Sequence, residues 1–134
     1  MSSRFVETIA VQQTDIDVQG HVNNVAFLRL VQDIAVKHWL HVASAELKSA
    51  YTWVVRKHEI EYLSPGLPGD ELELTTWVGE PSAATWERFT EIKRASDSRL
   101  LVKARTLWVL LDAGTGRPRR VDQRFLDSFT ASPS

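Results

Sequence analysis

The stretch NNVAFLRLVQDIAVKHWLHV, residues Asn23–Val42, decides the fold because it is the longest segment with helical periodicity. Asn23 or Asn24 can cap this helix, since an asparagine side chain accepts a hydrogen bond from a free backbone N–H group of the first turn. Apolar residues cover most of the helix and leave one narrow polar stripe. The stripe recurs every four positions, at Arg29, Asp33, Lys37 and His41. We therefore predict a long helix that the rest of the chain wraps on nearly every side.

The segments that flank this helix are typical of β-strands. Phe5–Gln13, before it, alternates apolar and polar side chains and contains β-branched residues. After it come a short helix over Ser44–Ala50 and four strand-like segments: Trp53–Leu63, Glu71–Gly79, Ala84–Arg94 and Leu100–Leu111. Turn-forming residues separate these segments, including a predicted turn at Glu80–Ser82. Val121–Phe129 is predicted to form a short terminal helix.

The order of these elements predicts the fold class. Short turns between consecutive strands favour antiparallel neighbours. A sheet curled around one apolar helix buries the apolar face of both elements. We therefore predict an α+β fold in which a five-stranded antiparallel sheet wraps around the long central helix. No repeat or linker interrupts the pattern, so residues 1–134 are predicted to form a single domain whose tail frays from about residue 130.

Composition excludes several classes of function. The formal net charge of −1 argues against a nucleic-acid partner. The chain has no cysteine, which excludes disulfides, thiolate metal sites and cysteine nucleophiles. The histidines lack the spacing of a metal site, so we expect no metal. No apolar run approaches the roughly 20 residues of a membrane span, and the N-terminus has no secretory signal. We expect a cytoplasmic protein.

The polar loop before the helix concentrates chemistry. Residues Thr14–Asn24, TDIDVQGHVNN, hold two carboxylates, a histidine, two asparagines and a glycine between a strand and a buried helix. A carboxylate beside an apolar helix is partly desolvated, which makes it a better base or nucleophile. The first helical turn offers free N–H groups that polarise a substrate carbonyl and stabilise negative charge on its oxygen. These two groups suffice for acyl transfer to water without a metal.

This loop resembles the active-site motif of the hot-dog thioesterases of the 4-hydroxybenzoyl-CoA thioesterase/YbgC type. The matching positions are Thr14-Asp15-x-Asp17-x-x-Gly20-His21-Val22-Asn23-Asn24. The resemblance extends over the helix and over three weaker segments: Glu59–Leu63 with Pro65, Gly69–Leu72 and Thr115–Arg120. It implies a hot-dog fold and an acyl-CoA thioesterase.

The resemblance also implies roles for individual residues. It makes Asp17 the catalytic carboxylate and the backbone N–H of Asn24 the group that polarises the thioester carbonyl. His21 and Asn23 match positions that line the site. Phe27 stands where many relatives carry tyrosine, which removes a hydroxyl group. The family acts on acyl-CoA or acyl-carrier-protein substrates, uses no cofactor, and forms dimers, often paired into tetramers, with active sites at the dimer interface.

Several assignments stay open at this level. Gly20 is expected to serve backbone geometry beside the substrate, and Arg56 and Arg88 are candidates among many for the phosphates of coenzyme A. Asp15 is an alternative carboxylate. Asp33, on the helix, matches the position type used by another hot-dog branch, but its neighbours at i−4 and i+4 are basic and favour ion pairing.

Two rival functions also remain. One is an enoyl-thioester hydratase or dehydratase of the same fold, which uses a histidine with an acidic partner in a signature that this chain lacks. The other is a non-catalytic acyl-CoA-binding or regulatory hot-dog domain, which predicts ligand binding without turnover. The acyl group itself, and the choice between coenzyme A and a carrier protein, are not encoded in a pattern that the sequence reveals.

Overall fold

The computed structural model describes residues 3–130. Nine elements of secondary structure lie within this part of the chain. In chain order they are β1 (Phe5–Ala10), a 3-10 turn (Gln13–Asp15), α1 (Asn24–Val42), α2 (Ala45–Ala50), β2 (Tyr51–Tyr62), β3 (Glu71–Ser82), β4 (Thr85–Arg94), β5 (Leu100–Asp112) and α3 (Gln123–Thr130).

The strands form one antiparallel sheet with the order β1-β3-β4-β5-β2. Strands β3, β4 and β5 follow one another through short connections and pair as neighbours, as expected for antiparallel hairpins. β1 and β2, which flank the helical segment in sequence, occupy the two edges. The α+β hot-dog arrangement predicted from the sequence is confirmed.

Helix α1 lies against one face of this sheet. On β3 the inward positions alternate with half-buried outward ones, and all four inward side chains are buried: Leu72, Leu74, Thr76 and Val78. The predicted polar stripe of α1 is exposed, whereas eight of its residues are buried. The helix begins at Asn24 because Asn23 is its N-cap, with the side-chain oxygen accepting from Val25 N at 2.8 Å.

The core divides into two clusters along α1. The cluster around its N-terminal half is almost entirely aliphatic, with Phe27 as the one buried aromatic residue. The cluster around its C-terminal half is built from aromatic rings of α1, α3 and the sheet: Trp39, Trp86, Phe125 and Phe129, with Tyr51 and Trp53 at the margin.

The structure corrects two boundaries. β1 ends at Ala10 rather than Gln13, because residues 13–15 form the 3-10 turn. β3 continues through the predicted turn at Glu80–Ser82, and the chain reverses instead at Ala83, which has φ +54°. Pro81 fits within this strand because the register of β3 and β4 shifts between Val78 and Pro81.

Strand β2 contains a bulge. Val55 pairs with Trp108 and Lys57 pairs with Leu107, so Arg56 is an extra residue without a counterpart on β5. The inward, half-buried positions are odd-numbered before the bulge and even-numbered after it, as at Val55 and His58. β2 therefore faces both halves of the core.

The last described element is α3 at the C-terminal end. Thr130 is the last residue of α3. The rest of the tail that was expected to fray, residues 131–134, lies outside the described residues. Within the described part of the chain, no helix is long and apolar enough to cross a membrane.

Candidate active site

Asp17 lies in a tight turn between the 3-10 turn and α1. Its backbone N–H donates to His21 O at 2.8 Å, and its carbonyl accepts from Gly20 N at 3.0 Å. Gly20 has φ +79°, a conformation that residues other than glycine rarely adopt, so the turn favours glycine at this position. These bonds fix the direction of the Asp17 side chain.

The Asp17 carboxylate is held by one oxygen only. Oδ1 accepts from Gln19 N at 2.9 Å and from His21 N at 3.3 Å. Within residues 3–130, no hydrogen bond reaches the second oxygen, Oδ2. One oxygen therefore anchors the carboxylate while the other stays available for chemistry, and the side chain is only half-buried.

The N-terminus of α1 presents one free donor. Val25 N is capped by Asn23 Oδ1, and the N–H groups of Ala26 and Phe27 both donate to Asn23 O. The N–H of Asn24 has no hydrogen-bond partner among the described residues. It carries the positive end of the helix dipole and can donate to a substrate oxygen.

These two groups share a cleft of about 410 Å³. Polar residues of the loop form one wall, and the end of β2 with the following segment forms the other. The lining residues are Asp17, Gln19, His21, Val22, Asn23, Asn24, Phe27, Tyr62, Leu63, Ser64 and Pro65. Five of the six loop and helix residues singled out from the sequence thus meet in one cleft, and the sixth, Gly20, shapes the turn beside it.

The floor of the cleft depends on a close backbone approach. Val22 N donates to Gly66 O at 2.8 Å. A Cβ atom at Gly66 would meet Val22 Cγ2 at 2.7 Å and Phe27 Cζ at 3.0 Å, so only glycine fits without a shift. The segment after β2 and the start of α1 are therefore held at a fixed separation.

The other two candidate carboxylates lie outside the cleft lining. Asp15 Oδ1 accepts from Arg29 Nη2 at 3.0 Å, and the Asp15 side chain is only 11% exposed. Its carbonyl accepts from Asn23 N at 2.8 Å, so Asp15 fastens the loop to α1. Asp33 is exposed and lies 4.0 Å from Arg29 Nε, while Lys37 pairs with Glu7 instead. Both carboxylates have ion-pair partners, unlike Asp17.

Phe27 lacks the hydroxyl that tyrosine would supply, but Tyr62, which the sequence did not single out, lies next to it. The Tyr62 ring lies 6.4 Å from the Phe27 ring, and its hydroxyl donates to Asn24 O at 3.4 Å. A phenol therefore reaches the same cleft from β2. The signal was weak, because Tyr62 is one of several strand residues before Pro65 and nothing in the sequence pairs it with Phe27.

The two candidate phosphate-binding arginines lie apart. Arg56 is exposed at the β2 bulge. Arg88 is 5% exposed and lines a different cavity, near the C-terminal half of α1. Arg99, which the sequence analysis did not single out, donates from Nε to Ser64 Oγ at 2.8 Å at the edge of the cleft. A turn arginine carries no sequence signal for such a position.

No group of three or more histidine, aspartate or glutamate side chains arranged to hold a metal ion occurs in residues 3–130. The polar groups of the cleft are a carboxylate, an imidazole, amides, a phenol, the hydroxyl of Ser64 and a backbone N–H. This donor set is suited to proton transfer, nucleophilic attack and stabilisation of an oxyanion.

Solved structures of other proteins share this fold. A 1,4-dihydroxy-2-naphthoyl-CoA thioesterase from Synechocystis superposes with a TM-score of 0.81 at 20% identity, over 95% of this chain and 96% of that one. A Staphylococcus aureus protein solved in complex with CoA gives a TM-score of 0.82 at 17% identity, over 100% and 90%. At such identities these likenesses show a common fold.

The sequence comparisons agree with the structural ones. A chloroplastic acyl-[acyl-carrier-protein] hydrolase, FATB3 from Cuphea viscosissima, is 23% identical over 96% of this chain. The chain spans about a third of the length of that relative, 34%. The model of the thioesterase-like superfamily matches residues 11–129, which include the whole cleft and its motif. The chain therefore belongs to the thioesterase-like superfamily, as the sequence resemblance predicted.

Proposed function

We propose that this protein hydrolyses acyl-CoA thioesters to the free acid and coenzyme A in the cleft at the N-terminus of α1. The observation that carries the proposal is the pairing of two groups in one cleft: the Asp17 carboxylate, with Oδ2 unbonded within the described chain, and the unpartnered N–H of Asn24. Acyl transfer to water needs a group of each kind.

In the proposed mechanism, the thioester carbonyl oxygen accepts a hydrogen bond from Asn24 N–H. Two routes then lead to the acid. In the first, Asp17 Oδ2 attacks the carbonyl carbon, the C–S bond breaks, and water hydrolyses the resulting mixed anhydride. In the second, Asp17 removes a proton from a water molecule, which attacks the carbonyl directly as the thiolate leaves. An acyl adduct on Asp17, detected by mass spectrometry after rapid quenching, indicates the first route.

The neighbouring residues support these steps. Asn23 fixes the first turn of α1 by capping it, which holds the Asn24 N–H in place. Gly20 permits the turn that aims Asp17. His21 is exposed in the cleft, where its ring can contact the substrate or the departing thiol. None of these residues supplies a cofactor site, and the mechanism requires none.

Coenzyme A is the proposed thiol carrier. Relatives support both carriers: the Synechocystis protein is named for a CoA ester and the Cuphea protein for an acyl-carrier-protein ester. We favour coenzyme A because it carries three phosphate groups, whereas the arm of a carrier protein carries one, and the exposed Arg99 beside Ser64 at the edge of the cleft is available to bind a phosphate. Arg56 stays a prediction for the same role.

The test is thiol release from a panel of aromatic and aliphatic acyl-CoAs by the native protein, Asp17→Asn and Asp33→Asn. Asp33→Asn is the matched control, because it makes the same chemical change on the exposed stripe of α1. We expect Asp17→Asn to lower kcat by about 10²- to 10⁴-fold with the far-ultraviolet circular dichroism unchanged, and Asp33→Asn to retain activity.

Other outcomes would point to the rivals. Acyl-CoA binding by calorimetry without turnover of any thioester would favour a non-catalytic binding domain. Full activity in Asp17→Asn together with loss in Asp33→Asn would move the catalytic carboxylate to the helix. Addition of water to an enoyl-CoA, without thiol release, would favour a hydratase.

We also propose that the active protein is a homodimer, with pairing into tetramers as the next level. Strand β2 is a long sheet edge, and such edges are templates for pairing with another chain. α1 exposes three large apolar side chains beside it: Val25, Val36 and Leu40. Light scattering during size-exclusion chromatography should give a dimer mass, and Leu40→Glu should lower it. A monomeric native protein would contradict this proposal.

The single domain spanning residues 1–134 and the cytoplasmic location stay predictions. Limited proteolysis, with mass spectrometry of the resistant core, tests the first, and fluorescence microscopy of a tagged chain tests the second.

A further inference from the structure

A second cavity lies between α1 and the sheet, away from the cleft. Its volume is about 110 Å³; five of its ten lining residues are aromatic, and two, Glu87 and Arg88, are charged. Ala35 and Val36 mark its position on α1, about 17 Å along the axis from Asn24 at 1.5 Å per residue. Four tryptophans line it, one from the helix and three from strands: Trp39, Trp53, Trp86 and Trp108.

A buried cation borders this cavity without a counter-ion. Arg88 is 5% exposed, and Nη1 donates to His38 Nδ1 at 2.9 Å and to Thr76 Oγ1 at 3.1 Å. Both partners are neutral. Thr76 offers a hydroxyl group, and burial and the nearby Arg88 charge lower the pKa of His38 to about 3. Burial lowers the pKa of Arg88 to about 9, so the guanidinium is still charged at pH 7.

The remaining donors of Arg88 are free. Within residues 3–130, neither Nε nor Nη2 has a hydrogen-bond partner, and no carboxylate forms an ion pair with the guanidinium. Buried charges in proteins are normally paired, because removing an isolated charge from water is costly. Nε and Nη2 form the fork that binds both oxygens of a carboxylate.

A second unsatisfied donor lines the same cavity. The indole Nε1–H of Trp108 is buried and has no acceptor among the described residues. A buried donor left without a partner is rare in native proteins and indicates an acceptor that is missing. Two independent donors, one of them charged, thus border a single cavity. The carboxylate of Glu87 also lines it, but both of its oxygens already accept hydrogen bonds, from Glu80 N and Arg105.

We propose that this cavity binds a small carboxylic acid with an apolar body no larger than one six-membered ring. The carboxylate accepts from the free edge of Arg88 and from Trp108 Nε1, and the body lies among the tryptophan rings. The size limit follows from the volume: about 110 Å³ is less than the roughly 150 Å³ of an enclosed cavity that holds one benzene molecule, so a single ring fits only because this cavity is partly open to solvent. This site is distinct from the cleft at Asp17 and does not depend on the proposed hydrolysis.

The test is isothermal titration calorimetry of the full chain with sodium benzoate and with benzamide, its uncharged counterpart of the same shape. We expect benzoate to bind with one site per chain and benzamide to bind at least about tenfold more weakly, because the charge-assisted hydrogen bonds are lost. Benzoate that binds no tighter than benzamide, or not at all, would overturn the proposal.

Three variants locate the site. Arg88→Met should weaken benzoate binding at least about tenfold, and Trp108→Phe about three- to tenfold. Asp17→Asn should bind benzoate as the native protein does, which separates this cavity from the cleft. The reverse pattern, with binding lost only in Asp17→Asn, would place benzoate in the cleft and overturn the proposal.

The variants are expected to fold. Replacing an uncompensated buried charge by an apolar side chain of similar length is often neutral or stabilising. Arg88→Met should therefore unfold at or above the native temperature in the absence of benzoate. Should Arg88→Met not fold, Trp108→Phe and the benzoate–benzamide comparison still decide the matter.

Discussion

Around the N-terminal half of α1 the core is aliphatic, whereas around its C-terminal half it is built from stacked and edge-to-face aromatic rings. The polar groups differ as well. At the first end they lie in a loop, partly exposed, and are held by backbone hydrogen bonds. At the second end Arg88 and His38 are buried on regular elements. One helix thus positions a reactive loop at its N-terminal end, while its C-terminal end organises an aromatic core around a buried cation and a cavity.

The largest effect is expected from removing a ring at the aromatic end of the core, which tests whether the two ends are independent. Phe125 is 0% exposed and contacts Tyr51, Trp53 and Trp39 at centroid distances of 5.1, 5.9 and 6.0 Å. We expect Phe125→Ala to lower the free energy of unfolding by about 3–5 kcal/mol, measured by urea denaturation. Thioester turnover, assayed where the variant is still folded, should be unchanged. Lost turnover in a folded variant would mean that the two ends are not separable.

A change of pH tests the stability of the same aromatic end without truncating a side chain. The pKa of His38 falls to about 3 in the folded protein, mainly through burial, so the unfolded chain binds a proton that the folded chain does not as pH drops below about 6.5. Stability is therefore full above that pH and is lost as the pH falls towards 3, by about 1.4 kcal/mol per pH unit for this one group.

The measurement is the free energy of unfolding from pH 7 to 4.5 for the native protein and His38→Gln. The unfolding free energy of the variant should depend less steeply on pH than that of the native protein, by up to about 1.4 kcal/mol per pH unit. Part of the native slope should remain, because burial also lowers the pKa of His58. Equal slopes in the two proteins would show that His38 is not neutral and buried in solution.

A smaller effect is expected from removing the cap at the N-terminal end of α1. Asn23 caps α1 and Ser44 caps α2, each through a side-chain oxygen that accepts one backbone N–H. Asn23→Ala and Ser44→Ala should each cost about 1 kcal/mol in unfolding experiments. Only Asn23→Ala should also lower kcat, because only that cap positions the Asn24 N–H. Equal turnover in the two variants would argue against a role for the helix N-terminus in the reaction.

The smallest expected effect concerns the edge of the cleft. Arg99→Ala should raise the KM for acyl-CoA by about two- to fivefold, as for an exposed charge pair, and leave kcat and the unfolding temperature unchanged. Steady-state kinetics at low and high salt provide the check, since added salt should shrink the difference. Lys103→Ala, which removes an exposed cation on β5, is the matched control.

Much of this fold could be predicted because its patterns are strong. The polar stripe of α1 and the alternation of Leu72 to Val78 each admit one interpretation, and both are borne out by burial. The sequence predicts the hairpin after β3 at Glu80–Ser82, because proline is rare inside a paired strand. In the structure, a register shift beside Pro81 accommodates it, and Ala83 adopts the turn conformation instead.

The site was predictable in part. The loop from Asp17 to Asn24 is contiguous, so its residues meet in the cleft through local geometry alone. Tyr62 and Arg99 come from distant segments, and their approach depends on tertiary packing. The charge of Arg88 does not distinguish it from surface cations, but its position does, because it shares the parity of the buried Trp86 and Thr90 on β4. That parity was the available signal for an inward guanidinium.

The bulge at Arg56 has a consequence for changes in the length of the chain. Deleting Arg56 would leave a regular strand in which Trp53, Val55, His58 and Ile60 all keep their inward orientation. Deleting Val54, two positions earlier, would turn Trp53 and the residues before it outward relative to the rest of β2. Tolerance of a one-residue deletion in this strand therefore depends on where the deletion falls, and the bulge lets β2 lose one residue without exchanging the two faces of the strand.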